Sequence, residues 1–191
     1  PSEHVLSEYQ RALDDAASLE MDLEQIESGI ATTLDGQHVH LMFNAGPFGE
    51  LSERQRSWID VVGLYRTEFI FLARSRFPTE DEKESEYRAE LATYSPAPVV
   101  MRTLDIGGYK GLPYFSIEEE NPFLGWRGIR VTLDHPEIFL TQIRAMLRAN
   151  SGFGNLRILL PMVTTLEELR ASKALIQRVV RELTAEGYAV V

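Results

Sequence analysis

Two arginines follow directly after short apolar runs, and they are the strongest candidates for chemistry in this sequence. Arg66 follows Val-Val-Gly-Leu-Tyr, and Arg102 follows Pro-Val-Val-Met. A guanidinium presents a planar fork of donors that pairs with two oxygens of a carboxylate or a phosphate. If both runs are strands of one parallel sheet, the two side chains lie at the carboxyl edge, where such folds bind ligands. The pattern predicts a site for a small molecule with several negative charges.

A structural role is the alternative for the same two arginines. Arg66 could pair with Glu68, and Arg102 could pair with Asp105, since each carboxylate lies two or three residues further along the chain. Ion pairs of this kind are common at protein surfaces and contribute little to function or stability. Periodicity and spacing alone favour neither interpretation.

The remaining candidates give weaker signals. His38 and His40 stand two apart on a predicted strand and could share a metal, but no acidic partner is apparent in the sequence. A surface or core role is therefore the better interpretation of this pair. The run Glu118-Glu119-Glu120 could bind a cation, but such a run is more often a solvated loop. Lys110 and Arg127 lie in a long irregular stretch after the third apolar run, and such stretches are usually functional.

Strand-like and helix-like segments alternate along the chain, which predicts a parallel sheet with helical crossovers. The predicted strands cover residues 37–43, 61–65, 98–101 and 156–160, with a further short one over 129–133. A leading helix is predicted over residues 2–28, and a short one over 52–59. Capping boxes at Thr79 and Thr165 begin two later helices, and Asp134 before Pro136 is expected to cap another.

Four strand–helix units are compatible with two architectures. They could form an open, doubly wound sheet or part of a (β/α)₈ barrel. A whole barrel takes about 250 residues, so the 191 residues of this chain are too few for one. The fold class predicted from the pattern is α/β.

Composition limits the possible functions. The sequence is 44% hydrophobic and 25% charged, carries a net charge of −10, and contains no cysteine. An acidic chain is a poor general binder of nucleic acid or anionic membranes. Without cysteine, these residues hold no disulfide, no cysteine–zinc site and no thiol nucleophile. No apolar run reaches the roughly 20 residues of a membrane-spanning helix.

Three motifs resemble one known family. They are Gly-Leu-Tyr-Arg-Thr-Glu-Phe at residues 63–69, Arg-Thr-Leu-Asp-Ile-Gly-Gly at 102–108, and Glu-Asn-Pro-Phe-Leu-Gly-Trp-Arg at 120–127. Their order and wording resemble the phosphoenolpyruvate-utilising barrel of Enzyme I, the phosphoenolpyruvate–protein phosphotransferase. The resemblance covers residues 35–186. The wording of residues 95–150, including Leu-Asp-His-Pro-Glu-Ile at 133–138, is more similar to the nitrogen-regulatory branch of the family than to the sugar-uptake branch.

The resemblance implies a fold, a substrate and partners. Residues 1–30 would be a helical linker, and residues 31–191 the N-terminal half of a (β/α)₈ barrel. Arg66, Arg102 and Arg127 fall on arginines that bind phosphoenolpyruvate in the family. The family transfers phosphoryl to a histidine of its own N-terminal domain and then to a phosphocarrier protein. It is a cytoplasmic homodimer that requires Mg²⁺.

The resemblance also implies what these residues lack. The family's metal-binding carboxylates, a further arginine and a proton-donating cysteine lie on later strands, so we expect no catalytic residue and no Mg²⁺ ligand in this chain, and no activity from it alone. Tyr109 stands where the family usually has aspartate. A non-catalytic dimerisation or anion-binding module is the alternative function. Half of a pyruvate,phosphate dikinase barrel is a third interpretation, which the wording of the motifs disfavours.

Overall fold

The computed structural model describes residues 2–25, 31–46, 56, 59–107, 111–115, 120–121 and 123–190. The chain divides into two units, residues 1–39 and residues 40–191. In the first unit, helix α1 (Glu3–Gln25) confirms most of the predicted leading helix. The helices of the described residues include none that is both long and apolar enough to cross a membrane.

The second unit contains a parallel sheet of four strands. The strands are β1 (Met42–Ala45), β2 (Val61–Arg66), β3 (Val99–Arg102) and β4 (Leu156–Leu159), hydrogen-bonded in the order β1-β2-β3-β4. The predicted parallel sheet is therefore confirmed. A doubly wound sheet reverses its strand order at a switch point, and these four strands show no such reversal.

The first strand is shorter than predicted, because the residues before it bond elsewhere. His38 forms an isolated antiparallel bridge with Thr32, and the Val39 amide donates to the Ala31 carbonyl at 2.7 Å. These bonds belong to a turn around Asp35-Gly36, so the predicted strand over residues 37–43 is wrong before Met42. The predicted helix over residues 52–59 lies mostly outside the described residues.

Five helices accompany the sheet in the described part of this unit. They are α2 (Glu68–Leu72), α3 (Glu80–Tyr94), α4 (Ile129–Asp134), α5 (Pro136–Asn150) and α6 (Leu166–Ala185). Both predicted capping boxes are confirmed. Thr79 accepts from the Glu82 amide while the Glu82 carboxylate accepts from the Thr79 amide, and Thr165 and Glu168 repeat the arrangement.

Two predictions near α4 are wrong. The alternating apolar residues at 129–133 form a helix, in which the Thr132 amide donates to the Gly128 carbonyl at 3.2 Å. Asp134 ends this helix and accepts a hydrogen bond from the Trp126 indole at 2.6 Å, so it does not cap α5. His135 holds the cap position of α5 without a side-chain cap bond, and Pro136 begins the helix as predicted.

The main core lies between the sheet and the helices α3, α5 and α6. The buried side chains that form it include Val62, Tyr65, Tyr87, Val99, Met101, Phe139, Ile143, Met146, Val179 and Leu183. A second cluster lies under the segment after β3 and includes Phe71, Leu104, Ile106 and Val131. This second cluster fixes the backbone just beyond the carboxyl ends of β2 and β3, where the two predicted arginines stand.

Helix α6 makes a pH-dependent contribution to stability through its capping carboxylate. The Thr164 and Thr165 amides donate to Glu168 and lower the pKa of its carboxyl to about 2. The ordinary glutamate pKa is about 4.3, so this stabilisation is complete above about pH 5 and is lost as the pH falls toward 2. We predict that Glu168→Gln lowers the free energy of unfolding by about 1 kcal/mol at pH 7, and by about half as much at pH 3.

Urea denaturation of the chain at the two pH values tests this prediction. Glu167→Gln is the matched control, because Glu167 lies in the same helical turn and its side chain is 80% exposed. It should change the unfolding midpoint little at either pH. Equal losses for Glu168→Gln at pH 7 and pH 3 would contradict the assignment.

Candidate functional site

The two arginines singled out by sequence lie side by side at the carboxyl ends of neighbouring strands. Arg66 ends β2, Arg102 ends β3, and the two residues are direct partners in the register of the parallel pair. The Arg66 side chain is exposed, and its guanidinium carbon lies 5.6 Å from the centroid of the Phe69 ring. The Arg102 side chain is only 16% exposed. The structure thus brings together two guanidinium groups at one edge of the sheet.

Arg102 is held by two buried carboxylates. Its Nη2 pairs with Oε1 of Glu68, which lies in the first turn of α2, and its Nη1 lies 3.3 Å from Oδ2 of Asp105. The predicted structural pair of Arg102 with Asp105 is therefore present. Nε of Arg102 is buried and has no hydrogen-bond partner among the described residues. A buried donor without an acceptor is costly, and an anion at this edge would relieve that cost.

Arg127 meets the same carboxylate from the other side. Its Nε donates to Oδ1 of Asp105 at 2.9 Å and its Nη2 donates to Oδ2 at 3.0 Å, which is a bidentate pair. The side chain of Asp105 is 3% exposed. One buried carboxylate therefore fixes both Arg102 and Arg127, although the two arginines are 25 residues apart in the sequence.

A glycine permits the close approach of Arg127 to this segment. Gly107 has φ of +123°, and a Cβ built there would lie 2.9 Å from Cβ of Arg127. Gly128, the residue directly after Arg127, has φ of +58°, and its amide donates to the Ile106 carbonyl at 3.1 Å. The two glycines let the backbone around Arg127 lie directly against the segment that carries Asp105.

The charges of these five side chains leave a positive excess. They comprise three arginines, Arg66, Arg102 and Arg127, and two carboxylates, Glu68 and Asp105. The buried carboxylates orient the guanidinium groups of Arg102 and Arg127, as preorganised binding sites require. Because both carboxylates are engaged by arginines, they do not form the set of oxygen ligands that Mg²⁺ prefers. The arrangement suits a polyvalent anion rather than a metal.

Other residues considered from the sequence do not join this group. Lys110, Tyr109 and the first two of the three consecutive glutamates lie outside the described residues, and Glu120 is exposed. His40 does have an acidic neighbour, since its Nδ1 lies 3.6 Å from Oδ2 of Asp60, and both side chains are largely exposed. That pair lies at the start of the sheet rather than at its carboxyl edge.

Sequence reasoning missed two features of the site. It considered Asp105 only as a partner of Arg102, and the structure shows that Asp105 is shared with Arg127. It gave Gly107 no role of its own, since that glycine appeared only within the motif at residues 102–108. The sequence signal for both is the glycine pair that closely follows Asp105 after the strand, because glycine is common where the chain turns sharply.

A parallel α/β sheet with arginines at its carboxyl edge has the arrangement in which α/β folds commonly bind ligands. The sequence model described as PEP-utilising enzyme, PEP-binding domain, matches residues 20–191. The chain belongs to this family.

Two relatives illustrate the match. A protein of Escherichia coli named "Phosphoenolpyruvate-dependent phosphotransferase system" is 49% identical over 96% of this chain and 24% of its own length. The "Phosphoenolpyruvate-protein phosphotransferase" of Staphylococcus carnosus is 44% identical over 100% of this chain and 33% of its own length. The chain therefore spans about a quarter to a third of the length of these relatives.

The close approach at Gly107 gives a test of the site's construction. We predict that Gly107→Ala lowers the free energy of unfolding by about 2–4 kcal/mol, because it adds a clash with Arg127 to the strain of a left-handed φ. Gly152→Ala is the control, since Gly152 has φ of +92° but no atom within 4 Å of an added Cβ. It should lose about 1 kcal/mol. Urea denaturation measures both losses, and equal values would show that Arg127 does not constrain this position.

Proposed function

We propose that this chain is part of the phosphoenolpyruvate-binding barrel of a phosphoenolpyruvate–protein phosphotransferase, and that Arg66, Arg102 and Arg127 bind phosphoenolpyruvate. The observation that carries the proposal is the register pair of Arg66 and Arg102 at the sheet edge, in a chain that belongs to the PEP-binding family. The buried carboxylates that fix Arg102 and Arg127 support it.

The chemistry of the substrate matches this group of side chains. Phosphoenolpyruvate carries a phosphate and a carboxylate on a three-carbon skeleton, so it needs at least two cationic partners close together. Guanidinium forks bind both groups bidentately. In phosphoryl transfer, the protein contributes mainly by positioning the substrate and stabilising its charge. The arginines would bind phosphoenolpyruvate in its ground state. They would then stabilise the negative charge that develops on the transferred phosphoryl group.

The barrel is proposed from strand order together with family membership. Sequential order of parallel strands, with helices between them, is the arrangement found along an arc of a (β/α)₈ barrel. The further strands would come from residues outside this chain. The ligands of Mg²⁺ would also come from residues outside this chain, because the two carboxylates of the described site, Glu68 and Asp105, are paired with arginines. When bound, the ion would neutralise charge on the substrate phosphate.

The activity of the whole protein is proposed from its relatives. The proteins from E. coli and S. carnosus are named for phosphoenolpyruvate-dependent phosphotransfer. By this analogy, phosphoryl passes from phosphoenolpyruvate to a histidine of an N-terminal domain and on to a phosphocarrier protein, in a cytoplasmic homodimer. The nitrogen-regulatory branch is proposed from the wording of residues 95–150, which include Leu-Asp-His-Pro-Glu-Ile at 133–138.

Substitution of the arginines tests the substrate assignment. We predict that Arg66→Ala weakens phosphoenolpyruvate binding by about 1.5–3 kcal/mol, or about ten- to 150-fold, because a charge-assisted hydrogen bond is lost. Arg66 is exposed, so the fold should survive. Arg102→Lys should also weaken binding, because a point charge does not reproduce the fork. Titration calorimetry on the protein at the full length that its gene encodes measures both effects.

The control for these variants is an arginine of α6. Arg178 is 57% exposed and pairs with Glu182 within its own helix, so Arg178→Ala should leave the affinity for phosphoenolpyruvate unchanged. Affinities that are equal in the wild type, Arg66→Ala and Arg102→Lys would rule out the assignment of these side chains to the substrate.

Catalysis by the isolated chain is a separate test. We predict that the 191-residue chain transfers no phosphoryl group from labelled phosphoenolpyruvate to a phosphocarrier protein in the presence of Mg²⁺, because the described site offers positioning groups only. The full-length gene product is the positive control. Label on the carrier above the protein-free background would contradict the prediction. A full-length product that binds phosphoenolpyruvate but transfers nothing would favour the alternative, a non-catalytic anion-binding module.

A further inference from the structure

Helix α5 carries one polar residue in the middle of its apolar face. Gln142 stands four residues after Ile138 and four before Met146, so the helical period places it on the side that packs against the core. All three side chains are buried, and Gln142 is 0% exposed. A glutamine buried in an apolar face is unusual, because its amide must find hydrogen-bond partners there.

The Gln142 amide has partners for its carbonyl and for its NH₂ group. Its Oε1 accepts from the Leu104 amide at 2.8 Å. Its Nε2 donates to Oγ1 of Thr67 at 3.0 Å and to the hydroxyl of Tyr87 at 3.1 Å. Thr67 passes the connection on, because its Oγ1 donates to the Arg102 carbonyl at 2.7 Å.

These bonds converge on the carboxyl ends of two strands. Thr67 is the residue directly after Arg66 at the end of β2, and Leu104 lies two residues after Arg102 at the end of β3. The Gln142 side chain therefore joins the backbone segments from which both arginines emerge. Hydrogen-bond networks that are fully satisfied in a buried environment specify a single arrangement. The Gln142 amide makes these bonds to Leu104, Thr67 and Tyr87, and not to the side chain of either arginine.

We propose that Gln142 is a positioning residue for the anion site: it ties the ends of β2 and β3 together and thereby sets the relative placement of Arg66 and Arg102. The expected effect of Gln142 on substrate binding rests on the proposed function. Its effect on the placement of the arginines does not, because that placement is a property of the free protein. Thr67 belongs to the same hydrogen-bond network, because its hydroxyl donates to the Arg102 carbonyl.

A matched control exists at the opposite end of the sheet. Asn155 is also buried, and its Nδ2 donates to the carbonyls of Leu91 and Ala97 at 3.1 and 3.0 Å. It precedes β4, and Ala97 precedes β3, so this network lies at the amino ends of the strands. Asn155→Leu and Gln142→Leu both remove a buried amide that joins elements of the fold, but only Gln142→Leu releases the segments beside the arginines.

The test uses the protein at the full length that its gene encodes. For each variant we would measure the melting temperature, the dissociation constant of phosphoenolpyruvate, and the Nε–H resonances of Arg102 and Arg127 by NMR without ligand. Gln142→Leu should shift the Arg102 resonance and raise the dissociation constant about tenfold or more, since small misplacements of binding groups have large effects. Asn155→Leu should lower the melting temperature comparably and change neither of the other readouts.

A milder pair of variants keeps the test decisive if Gln142→Leu fails to fold. Thr67→Val preserves the shape of the side chain and removes the connection to the Arg102 carbonyl, so it should shift the same resonance and weaken binding. Tyr87→Phe removes the hydroxyl that bonds both Gln142 and Thr67. It leaves the bond from Thr67 to the Arg102 carbonyl in place, so it should move the Arg102 resonance less than Thr67→Val does. An unmoved Arg102 resonance in Gln142→Leu, or in Thr67→Val if that is the variant that folds, would overturn the proposal.

The two proposals fail in different ways. If the wild-type protein does not bind phosphoenolpyruvate but Gln142→Leu still shifts the Arg102 resonance, the proposed function is wrong and the positioning role stands. If the wild type binds and every variant loses affinity in proportion to its loss of melting temperature, the function stands and Gln142 is only a structural residue.

Discussion

The buried carboxylate of Asp105 is the constraint on which this site depends. It accepts two hydrogen bonds from Arg127 and lies 3.3 Å from Arg102, with its side chain 3% exposed. Breaking a buried pair by removing one partner costs about 3–5 kcal/mol, because the other charge is left uncompensated. The three groups are therefore mutually obligatory. Two arginines that are distant in sequence are fixed at one place, and Glu68 secures Arg102 from a second direction.

The fold supplies this constraint in layers. A parallel sheet places every strand end at one edge, which brings Arg66 beside Arg102 as partners in the strand register. Helix α5 then reaches this edge from the core through Gln142, whose bonds to Thr67 and Leu104 join the two strand ends. Groups that are held in place before a ligand binds are preorganised, and preorganisation is a major source of electrostatic stabilisation in phosphoryl transfer.

Sequence patterns predicted the parts of this structure that follow from local rules. The strands before Arg66 and Arg102 and both capping boxes depend on neighbouring residues, and the structure confirms them. Residues 129–133 show the limit, since three apolar residues at alternate positions fit one turn of helix as well as a short strand. Asp105 and Gln142 show a second limit of prediction from local sequence, which is the pairing of residues that are distant in the chain. Their partners lie 22 and 75 residues away, and tertiary pairing decides which of several carboxylates or donors each one meets.

A crystal structure of the protein with phosphoenolpyruvate tests the central claim most directly. We expect oxygens of the bound molecule within hydrogen-bond distance of the Arg66 and Arg102 guanidinium groups, with Nε of Arg102 among the donors. The bidentate pair of Arg127 with Asp105 should persist. Phosphoenolpyruvate bound away from the carboxyl ends of β2 and β3, with Arg102 contacting only Glu68 and Asp105, would contradict the claim that these strand ends form the substrate site.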